Sequence, residues 1–569
     1  MSTVRFGPFA VDVAKRRLER DGIEIQLQPK VFDTLRYLVE HPGRVIPRDE
    51  LFARLWPDTF VGDAALTRCV KEVRRALGDR PMEPRFVSTV PSVGYRFDAT
   101  VELVAAAREG EVRVLAVLPF RPVSRDDGDP GLELGMADTL ITRLSGLREL
   151  VVRPLATVRR YSEIDQDPLV AGRELGVDAV LEGTLQRLGG RIRVSVRVLS
   201  CDDGRALFAE QYDESFGDVF EVQDVVCRRI TSAIEVKLDA VEAERIGRHE
   251  TSDLRAYRHF LRGRLGLGRM VPDEARRSIG HFEKALEIDP AYAQAMVSVA
   301  EANIVLAWQG LETSRYYDRA RRAAQSALDH EPRLGIAWSW LATVAWEHDW
   351  DWKDADHKFE RAVELTPNVV DMWGRYSASC AFSGRSEKAV RLARRAVEVD
   401  RTSPMATAWL VQALHMAGRS IDAVEAGEAV LARASDTPFL LFILGVACLQ
   451  VGRLDRAIGH LERAAATGRP DFMGVLAHAY VRAGRHEEAS ALESSLRERS
   501  RRGAAPPLAL AMIHAAREEI DPFFEAIEKT FEQPGLHSTL IATEPLLASY
   551  RDDPRARRLI RRLGLPPAR

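Results

Sequence analysis

Five residues of one short stretch have the types and the spacing to hold a polyanion. Thr67, Arg68, Lys71, Arg74 and Arg75 stand at i, i+1, i+4, i+7 and i+8, which on a helix makes one stripe about three turns long. Guanidinium and ammonium groups neutralise phosphates, and Arg, Lys and Thr also reach base edges in a major groove. On the other side of the same stretch Leu66, Cys69, Val70, Val73 and Leu77 recur with helical period and would pack on a core. Asp63 can cap the N-terminus, and Gly78 stands where a left-handed closing residue belongs. Beyond it, two β-rich runs flank Pro91-Ser92, as in a short hairpin. A basic helix followed by a small hairpin suits a duplex whose major groove takes the helix while the hairpin touches its flank. Arg-rich faces are also common as plain solvated surface, so the surrounding elements must decide.

Other chemistry finds little support. Five cysteines, at 69, 201, 227, 380 and 448, form no C-x-x-C pair, which fits a reducing compartment and argues against structural zinc. No metal ligands, cofactor or catalytic residues are assigned. Asp178, Glu182, Asp202 and Asp203 fall at turn positions, where carboxylates usually cap and solvate. Trp346, Trp350 and Trp352, with Asp349 and Asp351, read as packing at a helix boundary rather than a ligand box. The run Gly263–Gly268 follows no strand and is not a nucleotide loop. Without a nucleophile elbow, a phosphate loop, or a cyclase or kinase motif, the chain is not expected to be an enzyme. The net charge of −3 over 569 residues excludes a protein that coats nucleic acid along its whole length.

The elements that must position the basic stripe are legible upstream. Phe6–Leu18 and Ile23–Leu27 alternate as short strands around Asp21-Gly22. Pro29 opens a helix with Val31, Phe32, Leu35, Leu38 and Val39 inward, and a second helix over Arg48–Leu55 buries Leu51, Phe52 and Leu55. The runs LQPKVFDTLRYLVEHPGRVIPRDELFARLWPD, VRRALGD and STVPSVGYRF together resemble the OmpR/PhoB-type winged-helix DNA-binding domain over about residues 5–98. The resemblance implies that Asp63–Leu77 is the recognition helix and Ser88–Phe97 the wing. It also implies that Thr67, Arg68 and Lys71 face bases, while Arg74, Arg75 and the wing, with Ser92 and Arg96, lie nearer phosphates. The loop Trp56, Pro57, Asp58, Thr59 and Phe60 would contact RNA polymerase, as in some members. Cys69, Glu72 and Pro91 depart from the residues frequent at those positions, as does Pro47 in place of a hydroxyl cap. The chain opens a few residues before the first strand, so no receiver domain is expected ahead of it.

Residues 101–111 read as a linker, rich in Ala and charge. An α/β region over 112–240 follows, with a buried strand at Val114–Phe120 and alternating strands at Val177–Leu188, Arg191–Leu199 and Ala206–Tyr212. AVLPF, GMADTLITRLSGL, GRELGVDAVLEGTLQRLGGRIRVSVRVL and LFAEQYDESFGDVFEVQDVV resemble the TolB-like N-terminal module.

From Leu254 the chain is helical and periodic. Gly-Arg pairs fall at 384, 418, 452 and 484, in steps of 34, 34 and 32, and Ala389, Ala423, Ala457 and Ala489 keep the intervals. A second column is Ala362, Ala396, Val430 and Ala464. The pattern resembles the tetratricopeptide repeat, with about seven repeats over 254–535 and a cap over 536–569. Such pairs stack into a superhelix with a concave groove, which implies a protein or peptide partner there. The fold expected is therefore multidomain: a winged helix-turn-helix domain (α+β) over 1–100, the α/β module, then an all-α superhelix. The most apolar window, Pro438–Val451, is 14 residues long, too short to span a bilayer. The function expected is a cytoplasmic regulator of transcription bound to double-stranded promoter DNA, as a homodimer on tandem sites. The competing reading is an interaction scaffold whose winged helix no longer reads DNA.

Overall fold

In the computed structural model the N-terminal alternation forms β1 (Thr3–Phe6), β2 (Phe9–Asp12), β3 (Arg17–Arg20) and β4 (Ile23–Ile25). The structure describes residues 3–565 except 8, 13–15, 21–22, 56–62, 80–83, 92, 100–101, 105–111, 124–129, 148, 163–166, 189–190, 216–218, 235–250, 268–271, 311, 402, 432–436 and 503–504. The chain divides into two units, Met1–Glu111 and Val112–Arg569.

In the first unit β1–β4 form an antiparallel meander, and β8 (Glu102–Val104) adds to its β1 edge through the register Thr3↔Val104. Residues 102–104, expected in a linker, are therefore a strand. Their pairing with β1 is set by backbone register, and composition alone hides this. Three helices follow: α1 (Pro29–Glu40), α2 (Arg48–Leu55) and α3 (Asp63–Leu77). A second sheet has the order β5-β7-β6, from β5 (Val45–Pro47), β6 (Val87–Val90) and β7 (Gly94–Phe97). Phe6 joins the two layers, with ring centroids 4.8 Å from Phe97 and 5.7 Å from Phe86. Gly94 is forced by contact, because a Cβ there would lie 1.9 Å from the Ile46 carbonyl oxygen.

The second unit opens with a mixed sheet. β9 (Val114–Val117) lies between β11 (Val151–Val152) and β12 (Ala179–Leu188), parallel to both, and β10 (Arg121–Pro122) also pairs parallel with β12. β13 (Arg191–Ser200) and β14 (Ala206–Ser215) continue it antiparallel. Its helices are α4 (Pro130–Leu144), the short α5 (Leu155–Val158), α6 (Pro168–Leu175) and α7 (Val219–Ala233). The helical region that follows runs from the pair Leu254–Leu267 and Pro272–Ile288 to the pair Pro507–Ala516 and Ile520–Thr530. Eight pairs are present among the described residues, one more than the spacing suggested. The Gly-Arg turns at Gly384, Gly418, Gly452 and Gly484 take φ of 76°, 74°, 76° and 73°, a left-handed conformation that glycine reaches at low cost. Ala389, Ala423, Ala457 and Ala489 are fully buried where helices meet.

Residues 112–240 and 254–535, expected as separate domains, share a core. Val226, Cys227 and Ile230 of α7 pack in one cluster with Tyr257, Phe260 and Phe282 of the first helix pair. The Tyr257 hydroxyl lies 2.8 Å from Thr139 Oγ1 and accepts from Gln223 Nε2 at 2.7 Å. Farther along, Arg153 is paired at 2.5 Å with Asp400, both buried. Asn368 Nδ2 donates to the carbonyls of Leu147 and Leu150 at 2.8 and 3.1 Å.

Candidate nucleic-acid interface

Leu66, Cys69, Val70, Val73 and Leu77 are the buried face of α3, so Cys69 serves the core and is not a base-reading position. Burial holds its thiol above the ordinary value. The opposite face carries Thr67, Arg68, Lys71 and Arg75, all exposed. The Thr67 hydroxyl donates to the Asp63 carbonyl at 2.9 Å. Arg75 is paired with Glu72 at 2.6 Å, at the exposed end of the helix. No ion pair holds Arg68 or Lys71 among the described residues, which leaves two cations one turn apart for an external anion.

Two further arginines of the predicted set are already occupied. Arg74 donates to the Val87 carbonyl from Nε at 3.2 Å and from Nη2 at 2.8 Å, and Nη2 also reaches Thr89 Oγ1 at 2.9 Å. It clips strand β6 of the hairpin to α3. Arg96 Nε donates to Asp98 Oδ1 at 2.5 Å, while the Ser88 hydroxyl donates to the other oxygen of the same carboxylate. Ser92 lies outside the described residues, as does the whole loop Trp56, Pro57, Asp58, Thr59 and Phe60.

Sequence reasoning missed two positioning groups. Asp79, just past the left-handed Gly78 (φ 65°), is buried and accepts from the backbone N–H groups of Arg85, Phe86 and Val87 at 2.6, 3.2 and 2.8 Å. It ties the end of the helix to the start of the hairpin, and its signal was a Gly-Asp pair at a helix end. Arg48 opens α2 with its guanidinium 5.8 Å from the Tyr95 ring centroid and 3.5 Å from Asp63, which couples three elements at the N-terminus of α3. Its backbone N–H donates to Val93, whose side chain is exposed between the hairpin strands.

The acidic residues of the α/β region serve structure. Asp178 accepts from the backbone of Arg113 and Val114, and Glu182 bridges Arg121 and Arg197. Asp203 accepts from the backbone N–H of Arg205. Gly263 allows close packing against the Phe282 ring. The tryptophans pack as well: Trp346 stacks on Phe382 at 5.3 Å and Trp350 meets Phe531 at 5.6 Å. Trp352 Nε1 donates to the Leu563 carbonyl at 2.8 Å, and buried His415 lies 2.8 Å from Glu544. Part of the repeat surface expected to receive a partner is thus covered by the chain's own C-terminal segment, with Ile541 and Leu547 fully buried.

Residues 22–97 match the family model for transcriptional regulatory proteins, C terminal. Residues 111–228 match the second domain of HilA/YgeH-like transcriptional regulators. Residues 381–438, 417–471 and 444–507 match a tetratricopeptide repeat. Among curated proteins the chain is similar to putative adenylate cyclase 3 of Rhizobium meliloti (35% identity over 40% of each chain). It is also similar to the transcriptional activator CadC of Escherichia coli (31% identity, 21% of this chain and 23% of that one). The transcriptional regulator HilA of Salmonella typhi aligns more widely, at 20% identity over 74% of this chain and 76% of that one. The chain thus spans two-fifths of the first of these relatives and under a quarter of the second.

Proposed function

We propose that this chain, which carries an OmpR/PhoB-type regulatory domain, a HilA-like regulator domain and tetratricopeptide repeats, is a sequence-specific DNA-binding regulator of transcription. The single observation that carries the reading is the exposed pair Arg68 and Lys71 on the outward face of a helix whose inward face is core. In this reading α3 enters a major groove, with Thr67, Arg68 and Lys71 at bases and Arg75 at a phosphate. Arg74 and Arg96 act first by holding the hairpin, and Ser92 and the hairpin tip meet the adjacent backbone. The loop 56–60 is the surface offered to RNA polymerase, and two copies bind tandem sites. The α/β region, with its TolB-like sequence runs, and the repeats sense a signal or recruit a protein partner. No described helix is long and apolar enough to cross a membrane, and we place the protein in the cytoplasm. Its work is binding rather than catalysis.

Footprinting on genomic fragments tests the reading. The purified chain is expected to protect discrete sites, and Arg68→Ala with Lys71→Ala to abolish protection while the fold is retained. Protection that is absent, indifferent to sequence, or unchanged in the double variant would favour the scaffold reading.

A further inference from the structure

A cluster far along the chain from the basic helix has the chemistry of a metal site. We propose that Glu428, Cys448 and His460 bind a divalent cation of the zinc class. Glu428 lies on the helix Ser420–Leu431, Cys448 on Pro438–Gln450 and His460 on Leu454–Ala465, so three successive helices each contribute one group. A carboxylate oxygen, the thiol sulfur and an imidazole nitrogen lie within 4.8 Å of one another. Cys448 is fully buried. His460 Nδ1 is shielded from solvent and has no hydrogen-bond partner, an uncommon state for a buried polar atom.

The repeat supplies an internal control. Sixty-eight residues earlier, two repeats back, stand Glu360, Cys380 and Leu392; one repeat back stand Arg394, Leu414 and Ala426. Cys380, in the same column, is likewise fully buried, and Leu392 stands where His460 does two repeats later. Packing does not account for His460, because Leu and Ala fill the corresponding place. Oxygen, sulfur and nitrogen together are a zinc-type donor set, and three protein ligands leave one tetrahedral position for water. Zinc distances of about 2.0–2.3 Å put ligand atoms roughly 3.3–3.7 Å apart. The cluster must therefore close by at most about 1.5 Å, a movement open to the partly exposed Glu428 and His460.

Binding exchanges a proton for the metal. The Cys448 S–H bond breaks, a sulfur–metal bond forms, the proton leaves to solvent, and no electron moves. Thiolate and carboxylate balance the double positive charge. Arg456, bonded to Glu428 and largely exposed, and Arg453, 3.9 Å from it, turn to water. A ligand thiol must give up its proton to bind, so affinity rises with pH. Bound metal would staple the fifth helix pair to the sixth.

Cobalt titration of the full chain tests this, with Co²⁺ and then Zn²⁺ as the probes. One equivalent of Co²⁺ is expected to give a thiolate-to-metal absorption band that Zn²⁺ displaces. His460→Leu, which installs the residue found two repeats earlier, should weaken binding about tenfold or more with an unchanged circular dichroism spectrum. Cys448→Ser should remove the band. Absence of the band in the native chain, its survival in Cys448→Ser, or equal affinity in His460→Leu would overturn the proposal. If Cys448→Ser does not fold, His460→Leu alone decides.

Discussion

Arg68 and Arg74 are six positions apart on one helix and differ in what they touch. Arg68 is exposed with no ion-pair partner among the described residues, whereas Arg74 holds a backbone carbonyl and a threonine hydroxyl of the hairpin. Arg68→Ala is therefore expected to change unfolding free energy by no more than about 0.5 kcal/mol. It should reduce the slope of log affinity against log salt by about one unit if Arg68 meets a phosphate, and relax sequence preference if it meets a base. Arg74→Ala should do the reverse. Loss of its hydrogen bonds is worth about 1–2 kcal/mol, seen as a lower midpoint in urea, and DNA binding should weaken only through the loosened hairpin. Equal stability of the two variants would remove the structural role assigned to Arg74. Sequence spacing placed all five side chains on the outward stripe, and four of them are free of the core in that direction. Spacing carries no information about which cation a neighbouring strand consumes, because Val87 and Thr89 reach Arg74 only once the hairpin has folded back. Asp79 was missed for the same reason, since its partners arrive from the next element.

At the scale of elements, apolar period located the helices of the first unit to within a residue or two, because each has one wet face and one core face. It failed where an element's partner is distant in sequence. Residues 102–104 are a strand only by virtue of β1, about a hundred residues earlier. The end of the helix Gly335–Glu347 shows a cost of such burial. Glu347 is 3% exposed, and the Tyr317 hydroxyl and Trp308 Nε1 donate to it at 2.6 and 3.0 Å. Burial nevertheless outweighs these donors and pushes its carboxyl up to about 7. The unfolded chain, with an ordinary carboxyl, then binds fewer protons than the folded one between about pH 4.5 and 7. Stability from this group is present below that window and is lost as pH rises through it. Glu347→Gln keeps an acceptor for both donors and removes the charge. It is expected to raise the stability of the second unit by about 1–3 kcal/mol at pH 8 and by little at pH 4. Calorimetry at the two pH values checks this, and an equal change at both would sink the assignment to charge burial.

For the whole molecule, the repeat period was legible from residue 362 onward because Gly-Arg turns and buried alanines repeat whenever identical pairs stack. What the period could not show is where the chain goes after the last pair. Residues 536–563 return to cover Trp352 and His415, and their own Ile541 and Leu547 are fully buried. Each such side chain contributes about 1.5–3 kcal/mol when removed from water, so the segment is part of the core of the second unit. Its His537 is also buried, and desolvation pulls the imidazole down to about 4. The unfolded imidazole takes a proton near pH 6.5 and the folded one does not, so stability falls as pH drops from about 6.5 to about 4. Truncation before Leu536 is accordingly expected to lower the unfolding temperature of the second unit and to expose dye-binding apolar surface. The first unit keeps its own core of Phe6, Phe32, Leu35 and Phe97 and should retain its transition and its DNA footprint. In the full chain, His537→Leu should flatten the acid side of the stability profile for the second unit alone. A truncated chain that melts unchanged, binds no dye and gains affinity for a peptide of residues 536–565 would identify the segment as a removable plug instead. Two-transition calorimetry of the truncated chain separates these outcomes, because loss of a core segment lowers the transition of the second unit whereas loss of a plug leaves it where it was, and peptide added in trans raises it in either case.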